Sequence, residues 1–321
     1  MELLQNPGDR GYPTEYLLSR IKGRRSKLIK NWKALVHDQD LFLASSSSKQ
    51  GGMRAPISPD RIWADLVHEY QWVYGQMNRQ LREIFYPYFL YAELRTVFIC
   101  LRRIRDKKEG VDDEILGKSL LSDEMKKVLL SSIDLTEAVA GIERLFTTLS
   151  KQFAGLTEIV QNEGLRGVEQ RLTEAYLTVT AGSRLHPLVH MFFSRLIDAR
   201  NIISLYKYLR LELKSFPPVL PGGSIPETRL RQLAEKNDLV AIGSLIHEFT
   251  GIKVERPEPT KVELALYTGM TRWLHKEGRE PFGVAPILDY LWRCSIEAMN
   301  LSVLYHTKDL ERDAVAAELV A

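Results

Sequence analysis

Cysteine is scarce in this chain: Cys100 and Cys294 are the only two among 321 residues. Two cysteines cannot build a disulfide framework or a cysteine-rich zinc site. The segment Met1–Tyr12 is polar and lacks the apolar core of a secretory signal. These absences predict a cytoplasmic protein whose fold does not depend on disulfides.

Long apolar runs are also missing. The most apolar window, Tyr86–Leu101, is interrupted by Glu93 and Arg95. No stretch reaches the ~18 consecutive apolar residues that a membrane span requires. Hydrophobic residues make up 45% of the chain and charged residues 26%, which excludes wholesale disorder. We expect a folded protein that does not itself span a membrane.

An excess of charge of one sign is absent overall, since 44 basic and 41 acidic residues leave a net charge of +3. The exception is Met1–Lys33, which holds eight basic and three acidic residues. A basic helix can contact a polyanion, an anionic membrane surface or an acidic protein. A solvated helix face is the simpler interpretation. The candidate partner contacts in this segment are Arg20, Lys22, Arg24 and Arg25.

Strand-like alternation is not convincing anywhere, whereas apolar residues recur three or four apart through most of the chain. One such stretch is Tyr16–Val36. Ser58 and Pro59 have the pattern of a helix start, and breaks are possible at Pro87 and Pro187. Glycine, proline and serine predict a loop over Leu41–Pro59 and a linker over Phe216–Pro226. The predicted fold class is all-α.

One pattern occurs three times along the chain. Glu93, Asp198 and Glu297 are each followed at the fourth and seventh positions by apolar residues. Those offsets share one helix face, so each acid lies on the apolar stripe of its helix. A carboxylate in that position needs hydrogen-bond or cationic partners. Around these repeat acids, the signature includes Arg95, Arg200, Asn201 and Asn300.

The three repeat acids have two interpretations. They could converge on a cation or a basic partner, or each could tether its own helix to a neighbour. The tether is favoured, because buried acids usually belong to packing networks. On that hypothesis, Asp198→Leu should disturb stability more than the same change at a surface acid such as Asp238.

Motifs for catalysis or ligand binding are lacking. Leu116–Ser119 resembles the end of a phosphate-binding loop, but Asp112 stands where that loop needs glycine. His186 and His190 have a metal-binding spacing without the glutamate of zinc proteases. The aromatic run Phe85–Tyr91 could stack bases, although a core role is more common. We therefore predict no enzyme, no metal and no cofactor.

The third repeat carries a resemblance to a known family. Pro281-Phe282-Gly283, Pro286, Tyr290, Glu297 and Asn300-Leu301 resemble the C-terminal signature of the C-type central-stalk component of archaeal and bacterial V/A-type rotary ATPases, the relative of the d-type component of V-type ATPases. The middle repeat, Ile197–Ile202, is similar to the acid-x-x-Asn-Leu helix of that family. The order and spacing of these elements along nearly the whole chain carry the resemblance.

The resemblance implies a funnel of three pseudo-equivalent helical bundles with pseudo-threefold symmetry, covering residues 1–112, 113–216 and 217–321. It further implies a non-catalytic adapter that receives the D and F axle subunits and rests on the membrane proteolipid ring. Such an adapter would be cytoplasmic and peripheral to the membrane, would serve proton or other ion transport, and would bind no nucleic acid. The alternative is an all-α module that binds nucleic acid or an anionic surface through its basic N-terminal helix.

Overall fold

The computed structural model of the chain describes residues 2–38, 58–107, 113–255, 257–307 and 310–320. Over these ranges the secondary structure is helical and contains no β-strand. A single isolated antiparallel bridge joins Leu4 and Leu121. The all-α prediction is confirmed. The predicted loop over Leu41–Pro59 lies almost entirely outside the described residues.

The described helices fall into two length classes. The long ones are α3 (Pro59–Gln76), α4 (Arg79–Arg105), α8 (Leu156–Ala181), α9 (Pro187–Arg210), α12 (Pro259–Glu277) and α13 (Ala285–His306). The shorter ones are α1 (Thr14–Arg25), α2 (Trp32–His37), α5 (Asp113–Lys118), α6 (Asp123–Ser131), α7 (Leu135–Thr147), α10 (Glu227–Lys236), α11 (Leu239–Thr250) and α14 (Arg312–Ala317). A 3₁₀ turn covers Lys151–Phe153.

Local sequence explains where several helices begin. Helix α3 starts at Pro59, and the Ser58 hydroxyl accepts a hydrogen bond from the Arg61 amide at 3.2 Å, as predicted. Asn31 caps α2 and Ser122 caps α6 in the same way. A capping side chain satisfies one of the otherwise unpaired amides of the first helical turn.

Proline affects the helices differently at its two predicted break points. Pro187 is the first residue of α9, where proline costs the helix no hydrogen bond. Pro87 lies inside α4, and the expected break there is wrong because the helix continues from Arg79 to Arg105. Phe85 and Phe89, on either side of Pro87, are fully buried. Burial of these rings compensates for the ~3 kcal/mol that proline costs a helix interior.

Periodicity also misses interruptions that the structure shows. The predicted helix Tyr16–Val36 is two helices, α1 and α2, separated by Ser26–Asn31. Inside α8, Gly164 has φ +70° and introduces a kink, a conformation that other residues rarely adopt. These interruptions determine which backbone amides remain available to other partners.

The described chain forms two compact units. The first comprises Met1–Tyr12, Val67–Asp198 and Leu220–Ser224. Its core is rich in aromatic rings: Tyr88 and Phe89 lie edge to face at 5.7 Å, and Tyr88 also contacts Phe192. Each such pair contributes ~0.5–1.5 kcal/mol beyond its burial. The aromatic run Phe85–Tyr91 therefore serves the core, as favoured from the sequence.

The second unit comprises Pro13–Leu66, Ala199–Val219 and Ile225–Ala321. Its main core gathers apolar residues of α9, α10, α11 and α12, among them Ile202, Ile242 and Leu266. A smaller cluster packs Leu35 and Val36 of α2 against residues of α13 and α14. Residues near the start and the end of the chain thus share one core. The division into units 1–112, 113–216 and 217–321 stays a prediction.

Candidate functional site

All three repeat acids are buried in the interior of their units. The exposed fraction is 3% for Glu93, 0% for Asp198 and 8% for Glu297. Each accepts a hydrogen bond from a backbone amide of a segment that is distant along the chain. A buried carboxylate with such a partner fixes the position of the donor segment, because breaking the bond leaves both groups unsatisfied.

Glu93 lies on α4 and accepts a hydrogen bond from the amide of Leu120 at 2.7 Å. The same segment is also held by the N-terminal residues, since Gln5 donates to the Leu120 carbonyl at 2.7 Å. Burial raises the pKa of Glu93 above its ordinary value, and the Leu120 amide, Thr96 and Lys126 oppose that rise. Glu93 therefore holds the segment that leads into α6.

Asp198 lies on α9 and accepts two hydrogen bonds from Ser224, at 2.9 Å from its amide and 2.6 Å from its hydroxyl. Two glycines allow this approach. A side chain on Gly223 would stand 2.2 Å from Asp198 Oδ1, and Gly222 has φ +94°. The predicted linker Phe216–Pro226 is helix-free, yet its glycines bring Ser224 onto a buried carboxylate.

Glu297 lies on α13 and accepts a hydrogen bond from the amide of Ile29 at 2.9 Å. Ile29 belongs to the short connection between α1 and α2. The donor and acceptor are 268 residues apart in the chain. Sequence periodicity could not reveal this contact, because it assigned Ile29 to the middle of one continuous helix.

A further buried acid, Asp289, lies near the start of α13 and was not identified from the sequence. Its side chain is fully buried and forms an ion pair with Arg25 of α1. Arg25 also donates to the Gly278 carbonyl at 3.3 Å and lies 3.2 Å from His275 Nδ1. Burial raises the pKa of Asp289, while Arg25, Arg293 and His275 oppose the rise. The available signal was an acid within the apolar run from Pro286 to Trp292.

The remaining signature residues occupy different environments. Arg95 is exposed and Arg200 is half-buried, so these two do not share one setting. Asn201 and Asn300 are both buried. Asn300 donates to the Val320 carbonyl at 2.8 Å and accepts from the Val320 amide at 3.0 Å, which holds the last described residues against α13.

The four candidate partner contacts on α1 also separate. Arg25 is committed to Asp289. The guanidinium of Arg20 bonds the Tyr16 hydroxyl at 3.1 Å and lies over its ring. Lys22 is exposed and Arg24 is half-buried. Arg20, Lys22 and Arg24 thus remain as candidates for contact with an anionic partner, while Arg25 is a structural residue.

The motifs weighed for other chemistry form ordinary structure. Leu116–Lys118 ends helix α5, and the buried Ser119 donates to the Leu116 carbonyl at 2.9 Å. His186 precedes α9, where its ring accepts from the Leu188 amide at 3.3 Å. Among the described residues, no group of three histidine, cysteine or acidic side chains could hold a metal ion.

Helix α4 is long and apolar enough to cross a membrane by length and composition. It carries the buried Glu93 and a row of buried aromatic and aliphatic residues that pack within the first unit. Core helices of soluble proteins commonly meet the same criteria. The helix by itself does not establish a membrane span.

Comparison with known proteins gives one clear match. The family described as ATP synthase (C/AC39) subunit matches residues 58–314. That range contains all three repeat acids, whereas the basic segment Met1–Lys33 lies outside it. No curated protein matches the chain.

Proposed function

The chain belongs to the ATP synthase (C/AC39) subunit family of V/A-type rotary ATPases, and from this membership we propose that it is a non-catalytic central-stalk adapter. In this proposal it couples the central axle, made of the D and F subunits, to the membrane proteolipid ring during ion transport. Three pseudo-equivalent helical bundles would form a funnel with pseudo-threefold symmetry. The match over residues 58–314 is the observation that carries the proposal.

The packing of the repeat acids supports a mechanical role. An adapter that transmits torque must resist deformation, and closely packed helices with satisfied buried polar groups are stiff. Glu93, Asp198 and Glu297 each lock a chain segment through a buried hydrogen bond. Each bond restrains a backbone position directly, so a displaced segment would pull on the helix that holds the acid.

The family consists of subunits of a rotary ATPase complex. We propose that ATP chemistry occurs elsewhere in that complex and that this chain turns over no substrate. It would be peripheral, on the cytoplasmic side of the membrane sector, and held there by protein contacts.

The assignment is testable in the source cells. An affinity-tagged chain, purified from detergent-solubilised membranes, should bring down the axle subunits and the proteolipid, identified by mass spectrometry. In membrane vesicles depleted of the chain, ATP hydrolysis should lose its accompanying ion uptake, and added purified chain should restore it. A tagged chain that recovers neither partner, or vesicles whose ion uptake per ATP is unchanged by depletion, would overturn the proposal.

One observation favours the alternative function. Lys22 is exposed, and no acid occurs between Glu15 and Asp38 to neutralise the basic segment. Such a segment attracts polyanions through release of counterions. This module would act without the rotary partners, so measured affinity for nucleic acid or anionic vesicles separates it from the adapter.

A further inference from the structure

The three amides that the repeat acids bind occupy equivalent places in the chain. Leu120, Ser224 and Ile29 each lie two residues before the N-cap of a helix: Ser122 before α6, Pro226 before α10 and Asn31 before α2. We call these three groups the entry amides. Each entry amide is followed by a set of helices whose last long member carries the next repeat acid, as in α4, α9 and α13.

The hydrogen bonds therefore connect the repeats in cyclic order. Glu93, at the end of the first helical set, binds the entry amide of the second, and Asp198 binds that of the third. Glu297, at the end of the third set, binds Ile29, the entry amide of the first. The last bond thus repeats the register of the other two, although its partners are at opposite ends of the chain.

The third bond differs from the others in its covalent support. The first two acids are 27 and 26 residues from their donors, so the intervening chain keeps donor and acceptor close. Glu297 and Ile29 are 268 residues apart. Loop-closure entropy favours short connections, so this third bond depends most on the other contacts around it.

Those contacts exist and are specific to the third bond. Arg25 pairs with the buried Asp289, eight residues before Glu297. The positions eight residues before the other repeat acids are Phe85 and His190, which cannot provide the same pair. The Arg312 guanidinium donates to the His37 carbonyl at 2.7 Å. Leu35 and Val36 complete the attachment by packing against α13 and α14.

We propose that residues 13–37 form a latch, a segment that completes the last repeat through Glu297 and Asp289 and can detach while the other two acid–amide bonds hold. The apolar part of its attachment is small, since the cluster around Leu35 has five buried members and the main core of the second unit has twelve. Segments with few buried contacts open at lower free energy than the core. The inference concerns the chain itself and holds whether or not the proposed adapter role does.

Hydrogen–deuterium exchange on the full chain tests the latch. In Glu297→Leu, the Ile29 amide and the amides of α2 should exchange about tenfold faster, the effect of losing one buried hydrogen bond. Peptides covering α12 should be unchanged. Glu297→Gln keeps an acceptor oxygen and should stay within about threefold of the wild type. Glu93→Leu is the matched control, with faster exchange confined to Leu120–Ser122.

The wild-type protein provides a second test that does not depend on a variant folding. In low guanidinium, the amides of α2 should exchange through an opening with a smaller denaturant dependence than the amides of α12 and α13. One common opening free energy for α2, α12 and α13 would overturn the latch. So would Glu297→Leu exchange that accelerates equally in all three helices.

Discussion

Arg25 neutralises Asp289 in an ion pair whose acidic partner is fully buried. Removal of one member of a buried pair leaves an uncompensated charge, which typically costs ~3–5 kcal/mol. Because Arg25 is partly exposed, we expect Arg25→Gln to lower the free energy of unfolding by about 2–3 kcal/mol. Chemical denaturation of Arg25→Gln and of Lys22→Gln, the exposed neighbour, provides the comparison.

The double variant Arg25→Gln with Asp289→Asn removes both charges and should recover part of the loss. A coupling energy of about 1 kcal/mol or more is expected from this double-mutant cycle. Equal stabilities for Arg25→Gln and Lys22→Gln would show that the pair contributes nothing to the fold.

Asp198 provides a test of the tether hypothesis. Asp198→Leu leaves the amide and hydroxyl of Ser224 without their acceptor, so we expect a loss of about 2–4 kcal/mol in unfolding free energy. Asp198→Asn keeps an acceptor and should lose less. Asp238 is a poor control despite its exposure, because it caps α11 by accepting from the Val240 amide at 2.8 Å.

Glu235 is exposed on α10 and is the better control for that series. Glu235→Leu should change the unfolding free energy by no more than about 0.5 kcal/mol. Equal melting temperatures for Asp198→Leu and Glu235→Leu would remove the tether argument.

Gly223 is sensitive for a steric reason. An added Cβ would lie 2.2 Å from Asp198 Oδ1, so Gly223→Ala must displace either the loop or the carboxylate. We expect a loss of about 1–3 kcal/mol, measured by chemical denaturation. Gly75 in α3 has no heavy atom within 4 Å of a built Cβ, and Gly75→Ala should be neutral or stabilising by up to about 1 kcal/mol. The steric argument fails if the two variants respond alike.

Glu93 should make stability depend on pH. Its pKa in the folded protein is raised above the ordinary value of 4.5, so the folded state binds its proton more tightly than the unfolded state does. The ionised form therefore costs stability above the folded pKa, and that cost disappears as the pH falls to 4.5. Glu93→Gln lacks this titration while it retains an acceptor for the Leu120 amide.

The unfolding free energy of Glu93→Gln minus that of the wild type should consequently rise as the pH increases from 4.5 toward neutrality. Guanidinium denaturation at several pH values measures this difference. A difference that stays constant or falls over the same range would contradict the raised pKa.

Nucleic-acid binding separates the adapter from its alternative. As an adapter, the chain should show little salt-dependent affinity for DNA in a fluorescence anisotropy titration. If affinity is found, the triple variant Arg20→Gln, Lys22→Gln, Arg24→Gln should reduce the slope of log K against log salt by about 2–3. Arg25 stays unchanged in this variant because its loss would disturb the buried pair with Asp289.

The helical class and several helix starts could be predicted because they depend on local sequence. Apolar spacing is sufficient to indicate helices, and Ser58 with Pro59 is sufficient to indicate the start of α3. The resemblance to the rotary ATPase family was also available from motif order, and the family match agrees with it. The unusual register of the three repeat acids on their apolar stripes was likewise visible in the sequence.

The partners of those acids could not be predicted, because each is a backbone amide in a segment without a distinctive side-chain pattern. Ile29 lies in a short interruption that periodicity reads as helix. Asp289 gains its role from Arg25, 264 residues earlier in the chain. The continuity of α4 through Pro87 was missed for a related reason, since burial on both sides of a proline is a property of the folded core.

Backbone recognition by the repeat acids has an evolutionary consequence. Every residue except proline carries an amide N–H, so substitutions at Leu120 or Ile29 leave the hydrogen bond chemically possible. The donor positions are therefore free to drift in sequence while the carboxylates are not. Among relatives, we expect the acids to persist opposite positions whose side chains vary widely.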